Sequence, residues 1–320
     1  MSDVTIADII VGNGQRQRID LPVARLPTQT QMTLPIEVVN GRREGPRLWL
    51  SAALHGDELN GVEIIQRVLD KLNPRTLRGE LVAIPIVNIF GFINQQRYLP
   101  DGRDLNRCFP GSASGSLASR LAHLFMTQIV AHCSHGIDLH TGGAHRTNLP
   151  QVRCDLDDPE ARRMAEAFAA PIMIHGESPA GSLRSAVAKR GKPILVYEAG
   201  ESHRFNSDAI NVGVKGVLRV MGDLGMIKQP DGGRRRQSME ASNRTWIRAR
   251  RSGILRLQVK LGRSVTEGQP LGVIRDAFGD DKYTLTSPGS GLVIGLTNCP
   301  LVHEGDGIIH LALDVTTHRV

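Results

Sequence analysis

Apolar runs of strand length alternate with helical patterns over the first two thirds of this chain of 320 residues. Runs that are apolar at nearly every position are typical of strands buried on both faces of a sheet. We therefore predict an α/β fold with a mostly parallel, mixed sheet covered by helices on both faces, and edge strands in residues 28–40. The strand candidates are residues 47–54, 81–89, 136–141, 171–175 and 193–198, and the helix candidates are residues 59–72, 116–133, 159–169, 181–190 and 207–227.

From about Arg244 the pattern changes to short β-like runs that are interrupted by glycines. Closely spaced turn signals without helical periodicity are typical of a small all-β domain. We therefore divide the chain into an α/β domain at residues 1–230, which includes the N-terminal edge strands of residues 1–45, a basic linker at 231–243 and a small β domain at 244–320.

Composition excludes several classes of protein. A hydrophobic content of 40% excludes disorder throughout the chain. No apolar run approaches the roughly 20 residues of a membrane-spanning helix, and residues 1–14 lack the layout of a secretory signal, so we expect a cytoplasmic protein without a membrane partner. Four cysteines without a CxxC pair favour reduced thiols over a disulfide framework or a thiolate zinc site.

The net charge of +7 is concentrated in one stretch. Between Lys228 and Arg251 there are eight basic and two acidic residues, accompanied by Gly232, Gly233 and a single aromatic residue, Trp246. This composition is typical of a solvated linker rather than of a surface that binds phosphates or stacks bases. We therefore expect no nucleic-acid partner, and a homo-oligomer remains open.

Polar residues follow three of the predicted strands, at the sheet edge where open α/β sheets bind ligands. His55 and Glu58 come after the first strand, and His140 stands at the end of the third. Two imidazoles and one carboxylate form a catalytic zinc set that leaves a position for water. The alternative is that each histidine only satisfies a hydrogen bond at a strand end.

Glu198 follows the apolar strand at residues 193–197 and is the candidate for the group that moves protons to and from a metal-activated water. It could instead be a surface carboxylate or lie at a helix N-terminus. Asp138 precedes His140 by two residues, so on a strand it points to the same side, either to orient that histidine or as a buried structural acid.

The loop at residues 95–111 is long, polar and rich in arginine. Long loops within a domain are usually functional or disordered. Asn106 and Arg107 offer an amide and a guanidinium fork that suit a substrate carboxylate. Alternatively, the arginines of this loop pair with its own two aspartates and hold it in place.

Four motifs occur in order: HGDE at 55–58, RDLNRCFPG at 103–111, DLHTGG at 138–143 and YEAG at 197–200. Together they resemble the succinylglutamate desuccinylase and aspartoacylase family, relatives of the zinc carboxypeptidases, over residues 45–225. The resemblance implies a zinc carboxypeptidase-like fold and one Zn²⁺ per chain. It also implies functional residues: His55, Glu58 and His140 as zinc ligands, Glu198 as acid/base, and Asn106 and Arg107 as the pair that binds a carboxylate.

The resemblance implies further residues less directly. Either Arg97 or Arg103 could match the arginine that polarises the scissile carbonyl, and Arg103 is favoured. Arg184 occupies a place like that of a second substrate-binding arginine. The C-terminal part departs from mammalian aspartoacylases and resembles biotinyl and lipoyl domains, in which Lys282 lies near the position of the modified lysine but lacks the usual flanking residues.

The resulting hypothesis is a zinc-dependent amidohydrolase that removes the acyl group from a small N-acylated amino acid, such as an N-acetyl or N-succinyl amino acid. One alternative is a carboxypeptidase or peptide amidase that uses the same metal site. A second is a non-catalytic binding or carrier protein, in which the C-terminal domain is the functional part.

Overall fold

The computed structural model describes residues 4–6, 9–230 and 237–319 of the chain. The strands of its first part are β1 (Val4–Ile6), β2 (Ile9–Val11), β3 (Arg16–Arg25), β4 (Gln31–Asn40), β5 (Arg43–Ala52), β6 (Arg78–Ile84), β7 (His135–Gly142), β8 (Arg146–Cys154), β9 (Ile172–His175) and β10 (Ile194–Glu201). The helices are α1 (Asn60–Leu69), α2 (Ile89–Ile93), α3 (Leu117–Gln128), α4 (Pro159–Phe168), α5 (Leu183–Ala188) and α6 (Ser207–Asp223), with 3-10 turns at Leu105–Arg107 and Val130–His132.

A mixed sheet forms the centre of this part, as predicted. Its parallel core has the order β6, β5, β7, β10. Antiparallel β4 and β3 extend it on one side, and antiparallel β8 extends it on the other. The prediction of a strand within residues 28–40 is right, but β4 is not an edge strand, because it pairs with β6 on one side and with β3 on the other. β1 and β2 form a separate two-stranded sheet.

Helices cover both faces of the sheet because the central strands are apolar on both faces. In β5, Leu48 and Leu50 belong to the core beneath α1, α4 and α6, whereas Trp49 between them belongs to the core beneath α3 and α5. All three side chains are fully buried. Successive side chains of a strand point to opposite faces, so a continuous apolar run supplies two cores at once.

Several elements differ from the sequence-based expectation. The strand predicted at residues 81–89 ends at Ile84, next to Pro85, which has no N–H for a ladder; α2 then begins at Ile89. The side chain of Asn88 caps α2 by accepting a hydrogen bond from the Gly91 amide. Strand β8 was missed altogether because its sequence, RTNLPQVRC, is polar and contains Pro150.

The C-terminal part is all-β, as predicted. Its core contains Leu271, Ile274, Val293, Ile308 and Leu311. Its strands are β11 (Gln237–Ala241), β12 (Asn243–Arg248), β13 (Gly253–Leu257), β14 (Ser264–Val265), β15 (Pro270–Arg275), β16 (Lys282–Thr286), β17 (Gly291–Thr297), β18 (Leu301–Val302), β19 (Gly307–Leu313) and β20 (Thr316–Arg319).

The central sheet continues into this part. β17 pairs with β8 and is followed by β19 and β12, while β11 pairs with β9. The order β16, β15, β13, β18 gives a second sheet of four strands. β11 lies within the span that the sequence assigns to the linker, and Arg234, Arg235 and Arg236 fall outside the described residues. Among the helices that the structure describes, none has both the length and the apolarity to cross a membrane.

Candidate active site

The predicted site residues lie at the carboxyl ends of three neighbouring parallel strands. β5, β7 and β10 run side by side, so their carboxyl ends share one edge of the sheet. His55 and Glu58 follow β5, His140 lies near the end of β7, and Glu198 lies near the end of β10. In the register of β7 and β10, His140 and Glu198 are direct partners. The fold thus brings residues 143 positions apart in sequence into one site.

His55, Glu58 and His140 form a compact buried cluster. The Nδ1 atom of His55 lies 2.7 Å from Glu58 Oε1, and the Nδ1 atom of His140 lies 2.8 Å from Glu58 Oε2. One ligand atom from each residue lies within 4.8 Å of the others. All three side chains are at most 4% exposed.

Carboxylates face the outer ring nitrogens of both histidines. Asp138 Oδ2 lies 2.7 Å from Nε2 of His140, and Asp104 Oδ1 lies 3.3 Å from Nε2 of His55. Asp138 also accepts a hydrogen bond of 2.7 Å from Ser51 Oγ, which holds the carboxylate in place. A carboxylate beside Nε2 favours the tautomer whose Nδ1 is free to bind a metal.

The electrostatics of the cluster follow from burial and opposite charge. Burial by itself would lower the pKa of His140, but the Asp138 and Glu58 carboxylates outweigh it and raise that pKa well above 6.5. Burial and Glu58 oppose each other in the same way at His55, and its pKa is also raised. For Glu58, burial would raise the pKa, but the two imidazoles outweigh it and hold the pKa well below 4.5.

The chemistry of the donor set fits a zinc ion. Two imidazole nitrogens and a carboxylate are the protein ligands of one class of catalytic zinc site, and three protein ligands leave a position for water or substrate. The carboxylates behind the histidines are the outer contacts that such ligands usually have. His55, Glu58 and His140 are therefore the residues that could hold the metal.

Close packing fixes the turn that carries His55 and Glu58. A Cβ atom on Gly56 would lie 1.9 Å from the backbone carbon of Gly91 in α2, so only glycine fits there. The amide of Glu58 donates to the carbonyl of His55, which closes the turn. The Thr141 amide donates to Glu58 Oε2 over 3.0 Å and ties the turn to β7.

Glu198 lines the same cavity of about 500 Å³ as the metal-ligand cluster. Its Oε2 accepts a hydrogen bond of 2.9 Å from Asn148 Nδ2, and its Oε1 lies 3.4 Å from a guanidinium nitrogen of Arg153. The side chain is 16% exposed, so water and a substrate can reach it. The carboxylate is thus held in a defined position at the cavity wall.

The structure separates the two arginines that the sequence left as alternatives. Arg97 lines the cavity, with its guanidinium 3.5 Å from Glu58 Oε1 and 2.9 Å from Asp104 Oδ2. Arg103 lies outside the cavity with its side chain 60% exposed, 3.8 Å from Asp101. Arg103 was favoured as the arginine that polarises the scissile carbonyl, but its part of the loop turns towards solvent and its side chain does not line the cavity.

The other predicted substrate residues line the cavity as well. Asn106 accepts a hydrogen bond from the Leu183 amide at the start of α5, and Arg107 donates to the Asn106 carbonyl. Arg184 is only 9% exposed, and burial together with repulsion from nearby arginines lowers its pKa to about 10. The contact of Asn106 with Leu183 connects the predicted loop at residues 95–111 to α5.

The cavity also contains residues that the sequence analysis did not identify. Asn148, Arg146 and Arg153 come from the missed strand β8, and Trp246 comes from β12 in the C-terminal part. Trp246 stacks on His310 with the ring centroids 4.5 Å apart, and the Arg146 guanidinium lies 4.9 Å from the indole centroid. Trp246 was visible in the sequence only as the single aromatic residue of a basic stretch.

A family model described as the succinylglutamate desuccinylase/aspartoacylase catalytic domain matches residues 44–224, which is more than half of the chain. The chain belongs to this family. The resemblance inferred from the four motifs is thereby confirmed, and all the predicted site residues lie within the matched span.

Several known proteins are similar to this chain over most of its length. An N-alpha-acetyl-L-2,4-diaminobutyric acid deacetylase from Halomonas elongata is 29% identical over 255 residues, 76% of this chain and 74% of that protein. A solved succinylglutamate desuccinylase/aspartoacylase from Rhodobacter sphaeroides is 27% identical, with a TM-score of 0.83 over 94% of this chain and 98% of that one. A product-bound ectoine utilization protein from Ruegeria pomeroyi, 21% identical, shares the fold with a TM-score of 0.85 over 94% and 97% of the two chains.

Proposed function

We propose that this protein is a zinc-dependent deacylase that hydrolyses the amide bond of a small N-acylated amino acid. The observation that carries the proposal is the cluster of His55, Glu58 and His140 in one cavity with Glu198, in a chain of this family. The name of the Halomonas elongata relative, a deacetylase of an N-acetylated amino acid, supports the reaction class.

His55, Glu58 and His140 would hold the metal, which when bound supplies a Lewis acid for the carbonyl and acidifies a water molecule. Glu198 accepts the proton of the attacking water and returns it to the leaving amine. Its place on β10, directly across from His140, puts this carboxylate beside the metal-ligand cluster. Of the two arginines considered for the scissile carbonyl, Arg97 has the better position, because it is the one that lines the cavity.

The charge of the cavity supports a substrate with a carboxylate. Five arginines and three carboxylates line it, which leaves two positive charges when both histidines are neutral, the form that binds a metal, and before the metal itself is counted. A positive cleft concentrates anionic ligands. Asn106, Arg107 and Arg184 are the candidates for binding the carboxylate, because an amide and guanidinium forks suit such a group. A volume of about 500 Å³ matches a small molecule.

The test is an amine-release assay on the zinc-loaded protein across N-acetyl amino acids, N-succinyl amino acids and dipeptides. We expect release from the acylated amino acids but not from the dipeptides. Glu198→Gln should lower kcat by about 100-fold to 10,000-fold, the usual contribution of a general acid or base, while zinc content stays at one per chain.

The matched control is Glu201→Gln, which makes the same change on the same strand. Glu201 pairs with Arg204 over 2.7 Å and with Asn298, outside the cavity lining. This variant should keep wild-type kcat. Full activity of Glu198→Gln would exclude the proposed role of Glu198, and cleavage of dipeptides alone would indicate a peptidase.

A further inference from the structure

Both carboxylate oxygens of Glu198 are held by side chains of one neighbouring strand, β8. Asn148 donates to Oε2 over 2.9 Å, and the Arg153 guanidinium lies 3.4 Å from Oε1. Asn148 is 7% exposed, and the Arg153 side chain is 26% exposed. A carboxylate restrained at both oxygens has one preferred orientation, which a base needs in order to face its proton.

A β-bulge in β8 brings Asn148 to the same side of the sheet as Glu198. Glu198 of β10 is paired with Gln151 of β8, and Gly200 of β10 is paired with Asn148 of β8. The chain thus advances by two residues in β10 but by three in β8, so β8 contains one extra residue. A shift of one residue reverses the face to which a side chain points. Pro150 lies within the bulge, where no ladder N–H is needed.

The opposite edge of β8 is paired with β17 of the C-terminal part. Gly295 is the direct partner of Asn148. A Cβ atom at Gly295 would lie 3.1 Å from Asn148 Oδ1 and 3.0 Å from His310 Cβ, closer than most contacts of real Cβ atoms. Any side chain at Gly295 would therefore press on Asn148, which holds Oε2 of Glu198.

A second series of contacts runs from β17 to the other oxygen. Gln151 is fully buried, and its Nε2 donates to the Ile294 carbonyl of β17 over 3.3 Å. Its Oε1 accepts a hydrogen bond of 3.4 Å from Nε of Arg153. Gln151 thus fixes the direction of the Arg153 guanidinium, which contacts Oε1 of Glu198.

We propose that β17 of the C-terminal β domain positions the Glu198 carboxylate for catalysis, acting through Asn148 on one oxygen and through Gln151 and Arg153 on the other. Asn148, Gln151, Arg153 and Gly295 are positioning residues in this proposal, which rests on the proposed acid/base function of Glu198. The C-terminal domain then serves the reaction by supporting the catalytic strand.

The first test perturbs the contact from the C-terminal side. Gly295→Ala in the full zinc-loaded protein should lower kcat by about tenfold to 100-fold with little change in KM, because a small displacement of a catalytic group slows the chemical step. Gly289→Ala is the matched control in the same domain, since its Cβ would meet only Leu313 at an ordinary 3.5 Å. That variant should keep wild-type kcat.

The second test removes the contacts themselves. Asn148→Ala and Arg153→Gln should each lower kcat in the same range and leave zinc content at one per chain. Arg153→Lys should recover part of kcat, because it returns a cation beside Oε1. A merely structural role would lower zinc content and thermal stability together with kcat and would not be rescued by lysine.

Other outcomes would overturn the proposal. A rise in KM at unchanged kcat for Asn148→Ala and Arg153→Gln would show that these residues bind substrate rather than position Glu198. Crystal structures of the wild type and of Asn148→Ala provide a measurement that needs no substrate, and a Glu198 carboxylate in the same orientation in both would refute the positioning role. If the wild type releases no amine while its carboxylate turns in the variant, the assigned reaction fails but the positioning by Asn148 stands.

Discussion

If His55, Glu58 and His140 bind zinc as proposed, removing the Asp138 carboxylate should weaken that binding, although Asp138 is not one of the proposed ligands. Asp138 is 1% exposed, contacts Nε2 of His140 at 2.7 Å and accepts the Ser51 hydroxyl at 2.7 Å. A hydrogen bond to a charged group contributes about 1.5–3 kcal/mol. Since about 1.4 kcal/mol is a factor of ten, losing the contact to His140 should weaken zinc binding by about tenfold to 100-fold.

Two substitutions of Asp138 should lower the zinc affinity by different factors, one near tenfold and one near 100-fold. Asp138→Asn keeps one oxygen that can accept from His140, so we expect a loss of about tenfold. Asp138→Ala leaves the Nε2–H group buried without an acceptor, so we expect about 100-fold. Ser51→Ala removes only the donor to Asp138 and should lower the affinity less than either.

The assay is a competition titration of the metal-free protein against a chromophoric zinc chelator at fixed pH, with Glu201→Gln as the unaffected control. The free energies of unfolding of the metal-free proteins should be measured alongside, to separate weaker binding from loss of the fold. Zinc affinity of Asp138→Ala within about twofold of the wild type would refute the reasoning that Asp138 orients His140.

Three further predictions concern pH, packing and thiol chemistry. The pKa values of His55 and His140 are raised in the folded metal-free protein, so their stabilising contribution is complete below pH 6.5 and is lost as the pH rises through the raised values. The Tm of the metal-free protein should therefore fall over that pH range. Zinc binds the deprotonated rings more tightly as the pH rises and should restore the Tm. Gly56→Ala would place a methyl group 1.9 Å from the backbone of α2, so denaturant unfolding should show a free energy of unfolding lower by about 1–3 kcal/mol or more, and bound zinc should be lost. The control Gly289→Ala should change neither the free energy of unfolding nor the zinc content. Burial raises the pKa of the Cys133 thiol to about 12, so this thiol should resist alkylation in the native protein and react only after unfolding, as followed by mass spectrometry.

The carboxyl ends of β5, β7 and β10 could be predicted from the sequence because each is marked by a change from apolar to polar residues. His55, His140 and Glu198 all follow this rule, and the register of β7 and β10 brings the last two together. The two-faced core was also predictable, since uninterrupted apolar runs have few other solutions. Both predictions rest on local composition, which a single sequence displays directly.

The support of Glu198 could not be predicted in this way. β8 has Asn148, Pro150 and Arg153 where a buried strand would have apolar residues, because these positions face the cavity or form a bulge. One of the strands that pair with β8 is β17, more than 140 residues later in the chain. Pairing over such a separation leaves no local signal in a single sequence.

The pairing of β17 with β8 also limits where the chain can be truncated without exposing strand edges. The matched catalytic span ends at residue 224, yet β8 and β9 hydrogen-bond to β17 and β11, which lie beyond it. A fragment ending near residue 230 would expose two unpaired strand edges, which promote aggregation. We therefore expect the two parts to unfold as one cooperative unit. Exchange of the C-terminal domain between relatives should succeed only when the strands that join it to the sheet are exchanged with it.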